Sequence, residues 1–293
     1  MKSKTFKLIC AIIIFVNSSI MAQRPQFDWV KSIGGPNGEL GYSIDVDHLG
    51  NVYTTGFFTG IADFDPSTGV FNLSSDVVGS NQIFISKLSQ TGAFLWAKKI
   101  YPSSNSFGQP LSFLKTDNSG NVFVLFNDSV TKITSSGNVV WSKFIGGTVS
   151  NFTIDNYENL IITGEFNGLV DFNSGLGVDT LRSQGIGPKD IFVLKLDNNG
   201  NFIWVKSIGC INTFFSGSYH SYATAIDVNT FGDIYLSGEF EGVVDFNPSV
   251  LSYTLGSPSG GNHDMFLLNL NIIDVLIISF MTSLNCSGFW MKL

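Results

Sequence analysis

The chain has 293 residues, 44% of them hydrophobic, 14% aromatic and only 13% charged, with 27 Phe, 31 Gly and a formal net charge of −7. That length buries one large core or two modest ones, and many Phe and Gly with few charges suit sheets joined by tight turns. Without the first 22 residues, 13 basic groups face 23 acidic ones, a net −10. So acidic a surface repels phosphates and anionic headgroups, which excludes nucleic acid as a partner class.

Residues 1–22 read as a secretory signal. Lys2, Lys4 and Lys7 form a basic start, Leu8–Val16 is a short apolar stretch, and Ala22 is a cleavage point. The apolar stretch is too short to span a bilayer, so no membrane span is expected. Beyond it only Cys210 and Cys286 remain, and the sequence leaves their pairing open.

From residue 27 onward the chain repeats itself. A Trp-x-Lys strand occurs at Trp29, Trp96, Trp141 and Trp204, at spacings of 67, 45 and 63 residues. GNVYTTG (50–56), GNVFVLF (120–126), ENLIITG (158–164) and GDIYLSG (232–238) form a second recurring segment. It follows YSIDVD, LSFLKTD, NFTIDN and YATAIDVN. The shortest unit, 111–145, holds four short alternating strands with Gly-containing turns and no room for a crossover helix. Such a meander cannot bury both faces alone, so copies must stack. Stacking around an axis gives an all-β β-propeller of four-stranded antiparallel blades. The blades are expected at 42–100, 111–145, 149–208 and 222–270. Phe27–Ile33 is an orphan fourth strand that closes the ring, unless the chain is part of a longer propeller. Residues 271–293 form an irregular apolar tail whose next Trp-x-Lys comes twenty residues after Leu270, where about eight is expected. The motif Trp is expected to fill the gap between blades, with the Lys two residues on turned to the opposite face or to solvent.

KLDNNGNFIWVK, with IDVDHLGNVYTTG and GEFNGLVDFNSG, resembles the β-propeller repeat of secreted bacterial proteins, the SBBP repeat. The likeness covers about residues 27–270. It implies a propeller in an extracytoplasmic or surface protein and supplies no catalytic residue. The short unit is also similar to the Trp-docked repeat of quinoprotein-like propellers, without their cluster of metal-binding residues.

Three units carry an insertion between the second and third strands, at 57–82, 165–190 and 239–264. All three are expected to rim one face, where loops on a rigid scaffold bind. Asp63 and Asp65, Asp171 and Asn173, and Asp245 and Asn247 occupy equivalent places there and are the candidate ligand-rim residues. Asp63, Asp65, Ser67 and Gly69 have the alternate-oxygen spacing of calcium loops but lack a closing acid at the twelfth position. The plainer reading is an Asx-turn with Phe64, Phe172 and Phe246 packed at the loop base. His48, His220 and His263 lack metal-ligand spacing, and no cofactor motif or nucleophile motif occurs. Glu165 and Glu239 fall at matching repeat positions and read as structural acids. The sequence therefore describes a secreted, non-enzymatic propeller that binds a glycan or protein through its insert-bearing face. Its rivals are a propeller glycan-active hydrolase or lyase with carboxylates at the channel mouth, and a structural spacer of a larger surface protein.

Overall fold

The computed structural model describes residues 25–77, 79–100, 112–126, 128–175, 177–183, 189–210, 221–249, 251–257 and 263–271. The segment expected as a secretory signal, His220, Cys286 and the apolar tail from residue 272 lie outside the described residues, and so does the Cys210–Cys286 pairing. The chain divides into Met1–Val30 and Lys31–Leu293. Of the first unit, residues 25–30 hold no strand or helix.

The second unit is all β. Blade 1 consists of β1 (Glu39–Val46), β2 (Val52–Phe58), a small hairpin of β3 (Ile61–Asp63) and β4 (Asn72–Ser74), then β5 (Gln82–Leu88) and β6 (Phe94–Ile100). Blade 2 is a plain meander of β7 (Ser112–Thr116), β8 (Val122–Phe126), β9 (Ser129–Ile133) and β10 (Val139–Phe144). Blade 3 repeats the plan of blade 1 with β11 (Thr148–Ile154), β12 (Leu160–Phe166), the hairpin β13 (Leu169–Asp171) and β14 (Thr180–Arg182), β15 (Asp190–Leu196) and β16 (Phe202–Cys210). Blade 4 has β17 (Tyr222–Val228), β18 (Ile234–Phe240), the hairpin β19 (Val243–Asp245) and β20 (Thr254–Gly256), and β21 (Asp264–Leu270).

Every pairing is antiparallel, in the order first, second, third, fourth strand, with three strands described in blade 4. The inner strands β1, β7, β11 and β17 lie side by side in that order, as the strands around a propeller axis do. Residues 27–33, expected as a closing strand, carry no strand here; the first pairing among the described residues is a single bridge between Gly34 and Asp63. A strand needs a ladder along its length, and one bridge does not supply it.

Each turn from first to second strand is built by one side chain. Asp47 Oδ1 accepts the N–H groups of Leu49 and Asn51 at 3.0 and 2.9 Å, and its Oδ2 accepts Asn51 Nδ2. Asp117 with Asn121 and Asp155 with Asn159 repeat this arrangement. A lysine from the third strand then reaches each buried carboxylate: Lys87 to Asp47 at 3.4 Å, Lys132 to Asp117 at 3.4 Å and Lys195 to Asp155 at 2.7 Å. Two of these ammonium groups also bind the next blade. Lys87 donates to Ser135 O and Lys132 to Asn198 O, the same carbonyls that accept Trp96 Nε1 at 3.1 Å and Trp141 Nε1 at 3.3 Å.

The motif Trp therefore spans the gap between blades, lying flat on a glycine of the next blade's third turn. A Cβ on Gly137 would come within 3.1 Å of the Trp96 ring, and one on Gly200 within 3.2 Å of Trp141. Both glycines also have φ near +80°, at +83° and +77°, so the position excludes a side chain twice over. The Lys of Trp-x-Lys does not turn to the opposite face, as the sequence suggested. Lys98 and Lys143 lie beside the same two glycines as the Trp, because residues two apart on a strand share a face.

Blade 4 modifies the charged turn. Asn229 takes the place of the aspartate, Asp233 that of the asparagine, and Asn269 that of the lysine, so the carboxylate changes place within the turn and the lysine disappears. Burial pushes the Asp155 carboxyl up, but the Lys195 ammonium and bonds from Asn159 outweigh it and hold the group below the usual range. A carboxyl depressed in the folded state stabilises above its unfolded pKa, about 3.9, and that contribution fades as pH falls through the folded value. Asp155→Asn alone strands a buried lysine and is expected to cost about 3–5 kcal/mol in urea unfolding. The triple change Asp155→Asn, Asn159→Asp and Lys195→Asn copies blade 4, whose turn holds its carboxylate without a lysine, and is expected to cost clearly less. An equal loss in both variants would contradict the pairing.

Candidate functional site

The three insertions are one structure built three times. A Gly-Ser clasp closes the base: Gly60 N donates to Ser75 Oγ at 3.1 Å, Gly168 N to Ser183 Oγ at 2.8 Å and Gly242 N to Ser257 Oγ at 2.7 Å. Above it stands the three-residue hairpin. The candidate aspartates end the hairpin's first strand and turn inward. Asp63 Oδ1 accepts the N–H groups of Asp65 at 3.0 Å and Phe71 at 2.8 Å; Asp171 does the same for Asn173 and Asp179, and Asp245 for Asn247 and Tyr253. The second candidate in each insert caps the next step: Asp65 accepts Ser67 N, Asn173 accepts Gly175 N and Asn247 accepts Ser249 N. Bonds from Phe71 and Asp65 hold the Asp63 carboxyl below its ordinary range.

The calcium-like spacing is thus an Asx-turn spiral, with acceptor oxygens aimed at the loop's own N–H groups. Each pair of candidates sits in its own insert. Among the described residues, no three His, Cys, Asp or Glu side chains gather where they could hold a metal ion. Beside the first insert lies a polar cavity of about 380 Å³ lined by Gly34, Glu39, Asp63, Asp65 and Ser67 among others.

Phe at the insert base joins the blade core. Phe64, Phe172 and Phe246 are buried, each edge-on to the last residue of its second strand (Phe58, Phe166, Phe240), with centroids 5.2–5.4 Å apart. Each also packs on a third-strand ring, Phe84, Phe192 or Phe266, at 4.8–5.0 Å. The triads share one spacing, six and then twenty residues, in all three blades. The inserts are therefore anchored in the core and do not stand outside it as free loops.

They also fasten successive blades. Gly34 bridges Asp63, and Gly209 and Cys210 at the end of β16 pair with Asp245 and Val244 of β19, so the blade 3 sheet runs on into the next insert. Ile145 and Ile208, ending the fourth-strand segments, are buried in the Phe cluster of the following blade, and Ile33 packs against that of blade 1. The sequence carried a signal for this clamp. Ile-Gly-Gly (33–35), Ile-Gly-Gly (145–147) and Ile-Gly-Cys (208–210) precede blades with inserts, whereas Ile100 is followed by Tyr-Pro and then by blade 2, which has none. Blade 2 also lacks the irregularity of β1, β11 and β17 at Gly41/Ser43, Val149/Asn151 and Ala223/Ala225. There the inner strand bows over Gly56, Gly164 and Gly238, where a Cβ would fall 1.9–2.1 Å from its carbonyl oxygens; blade 2 has Phe126 instead.

Glu165 and Glu239 both have partners. Glu165 forms an ion pair with Lys189, and Glu239 accepts the Tyr222 hydroxyl at 2.6 Å. That bond, aided by desolvation and the charges of both glutamates, raises the Tyr222 pKa.

Phe172→Ala empties a buried aromatic site and is expected to cost about 3–5 kcal/mol in urea unfolding. An insert that were only a surface loop would lose far less.

Comparison with known proteins agrees with the repeat. Residues 28–56 match the family model described as a beta-propeller repeat. An uncharacterized WD repeat-containing protein of Acanthamoeba polyphaga mimivirus is 23% identical over 263 residues, covering 72% of this chain. The chain spans only 19% of that relative's length. Among solved structures, a Bacteroides caccae protein of unknown function aligns over 68% of this chain and 70% of its own, at 11% identity and a TM-score of 0.34. BamB from Moraxella catarrhalis aligns over 68% of this chain and 80% of its own, at 12% identity and a TM-score of 0.27. Residues 28–56, from the first Trp-x-Lys into β2, thus carry a beta-propeller repeat at the head of an all-β array of propeller blades.

Proposed function

We propose that the chain is a secreted, non-enzymatic propeller scaffold whose insert-bearing face binds a glycan or a protein. One observation carries this reading: the inserts keep the same base and vary at the tip. Clasp, aspartate cap and Phe anchor recur three times, while the tips read SerThrGlyValPhe (67–71), SerGlyLeuGlyValAsp (174–179) and SerValLeuSerTyr (249–253). Val70, Val178, Leu251 and Tyr253 are 65–74% exposed on those tips. Fixed bases with variable, partly apolar tips suit recognition by loops on a rigid support. All three inserts join second to third strands and so leave the blades at the same edge. The basic and apolar start of residues 1–22 supports export. A glycan-active enzyme would need carboxylates free to work at the mouth, and the two matching glutamates are already engaged by Lys189 and Tyr222.

Two measurements test this. Exported protein is expected to begin at Gln23 by N-terminal sequencing; an intact Met1 terminus on recovered protein would contradict export by cleavage. On a glycan array and an extracellular-protein panel, a ligand of the parent chain is expected to bind the variant Val70→Asp, Val178→Asp, Tyr253→Ser at least about tenfold more weakly, about 1.4 kcal/mol. Thermal stability should hold, because the substituted side chains lie outside the Phe anchors. A ligand bound equally by parent and variant would place recognition elsewhere.

A further inference from the structure

The middle blades have neighbours on both faces, but the two end blades each leave one face open. On β21, Met265 and Leu267 are 79% and 76% exposed, although their counterparts Ile83 and Ile85 on β5, and Ile191 and Val193 on β15, are all 0% exposed. Tyr235 on β18 is 38% exposed where Tyr53 on β2 is 0%. At the other end Ile44 on β1 is 66% exposed, while Phe152 at the same place on β11 is 1%. The outer edge of β21 also lacks the fourth-strand ladder that β6 gives β5 and β16 gives β15, among the described residues.

We propose that these two open faces belong to one head-to-tail interface between copies of this chain. Blade 4 of one copy stacks on blade 1 of the next, and residues 27–33 of that next copy add the fourth strand to β21. The chain makes this interface three times within itself, between successive blades, so both halves are already built. Blade 1 carries the receiving turn: Gly92 has φ +75° and its N–H donates to Ser89 O at 2.9 Å, as Gly137 and Gly200 do in the turns that hold Trp96 and Trp141. Ile33 and Gly34 already lie where a preceding blade's fourth strand ends, Ile33 against the Phe58 cluster and Gly34 bridged to Asp63, as Gly209 pairs with Asp245.

The strand itself fits by sequence. Residues 27–33 read Phe-x-Trp-x-Lys-x-Ile, the pattern of β6 and β16. The registers Ile191 with Ile208, Val193 with Lys206 and Lys195 with Trp204 then set Met265 against Ile33, Leu267 against Lys31 and Asn269 against Trp29. Joined head to tail, two four-blade arrays supply eight blades, within the range in which propellers close.

Light scattering on the purified chain is expected to give twice the single-chain mass. Ile44→Lys and Leu267→Lys should each be monomeric by themselves, and an equimolar mixture should recover dimers, because one intact interface remains between them. A monomeric parent chain, or an Ile44→Lys variant that stays dimeric, would overturn the proposal. In a chain with Cys210 and Cys286 changed to Ser, Ile33→Cys with Met265→Cys should oxidise to a cross-linked dimer on a non-reducing gel. A cross-link confined to single chains would instead show closure within one molecule and overturn it as well.

Discussion

Apolar side chains on both faces of each blade are the constraint from which the rest follows. All seven residues of β5 and all seven of β15 are buried, which no isolated four-stranded sheet can achieve. Each blade therefore completes its core only against the next. The joint is made in layers: inner strands side by side, lysine and tryptophan meeting at one carbonyl of the neighbour, and aromatic clusters toward the insert edge. Stability in such an array is close to a sum over neighbours.

The inserts extend this logic to function. The inserts of blades 3 and 4 tie their blade to the preceding one, through a Phe triad on one side and an Ile-Gly step on the other, and the insert of blade 1 holds Ile33 and Gly34 in the same way. Four features come together in blades 1, 3 and 4 and are absent together from blade 2: the Ile-Gly step before the blade, the bowed inner strand, the glycine beneath it and the insert. A loop rooted in this way would lose little further ordering entropy on meeting a ligand, because only its tip remains to be fixed. The same rooting explains why the aspartates look like calcium ligands in sequence. A spiral of side-chain oxygens at alternate positions suits a cation or a run of backbone N–H groups, and only the fold reveals which.

Much of the blade plan was legible. Alternation marked the strands, glycines marked the turns, and Trp-x-Lys marked the fourth strands. The Phe at each insert base was rightly read as packed. What escaped the sequence was of two kinds. The hairpins β3–β4, β13–β14 and β19–β20 have strands of three residues, too short for any periodic signal. Long-range partners were the other kind: nothing near Lys87 in sequence announces Ser135, and nothing near Gly209 announces Asp245. Lys98 and Lys143 were misplaced for a simpler reason, since the period of two that puts them beside the Trp had been applied to the wrong neighbour.

Hydrogen exchange resolved to single amides tests most directly whether the inserts are anchored clamps. The amides of Phe71, Asp179 and Tyr253 each donate to a capping aspartate in an otherwise exposed loop. They are expected to exchange as slowly as amides of the adjoining second strands, while Ser67 and Gly175, nearer the tips, exchange faster. Exchange of Phe71, Asp179 and Tyr253 at the rate of an unstructured peptide, with the strands still protected, would show the inserts to be free loops and contradict the account.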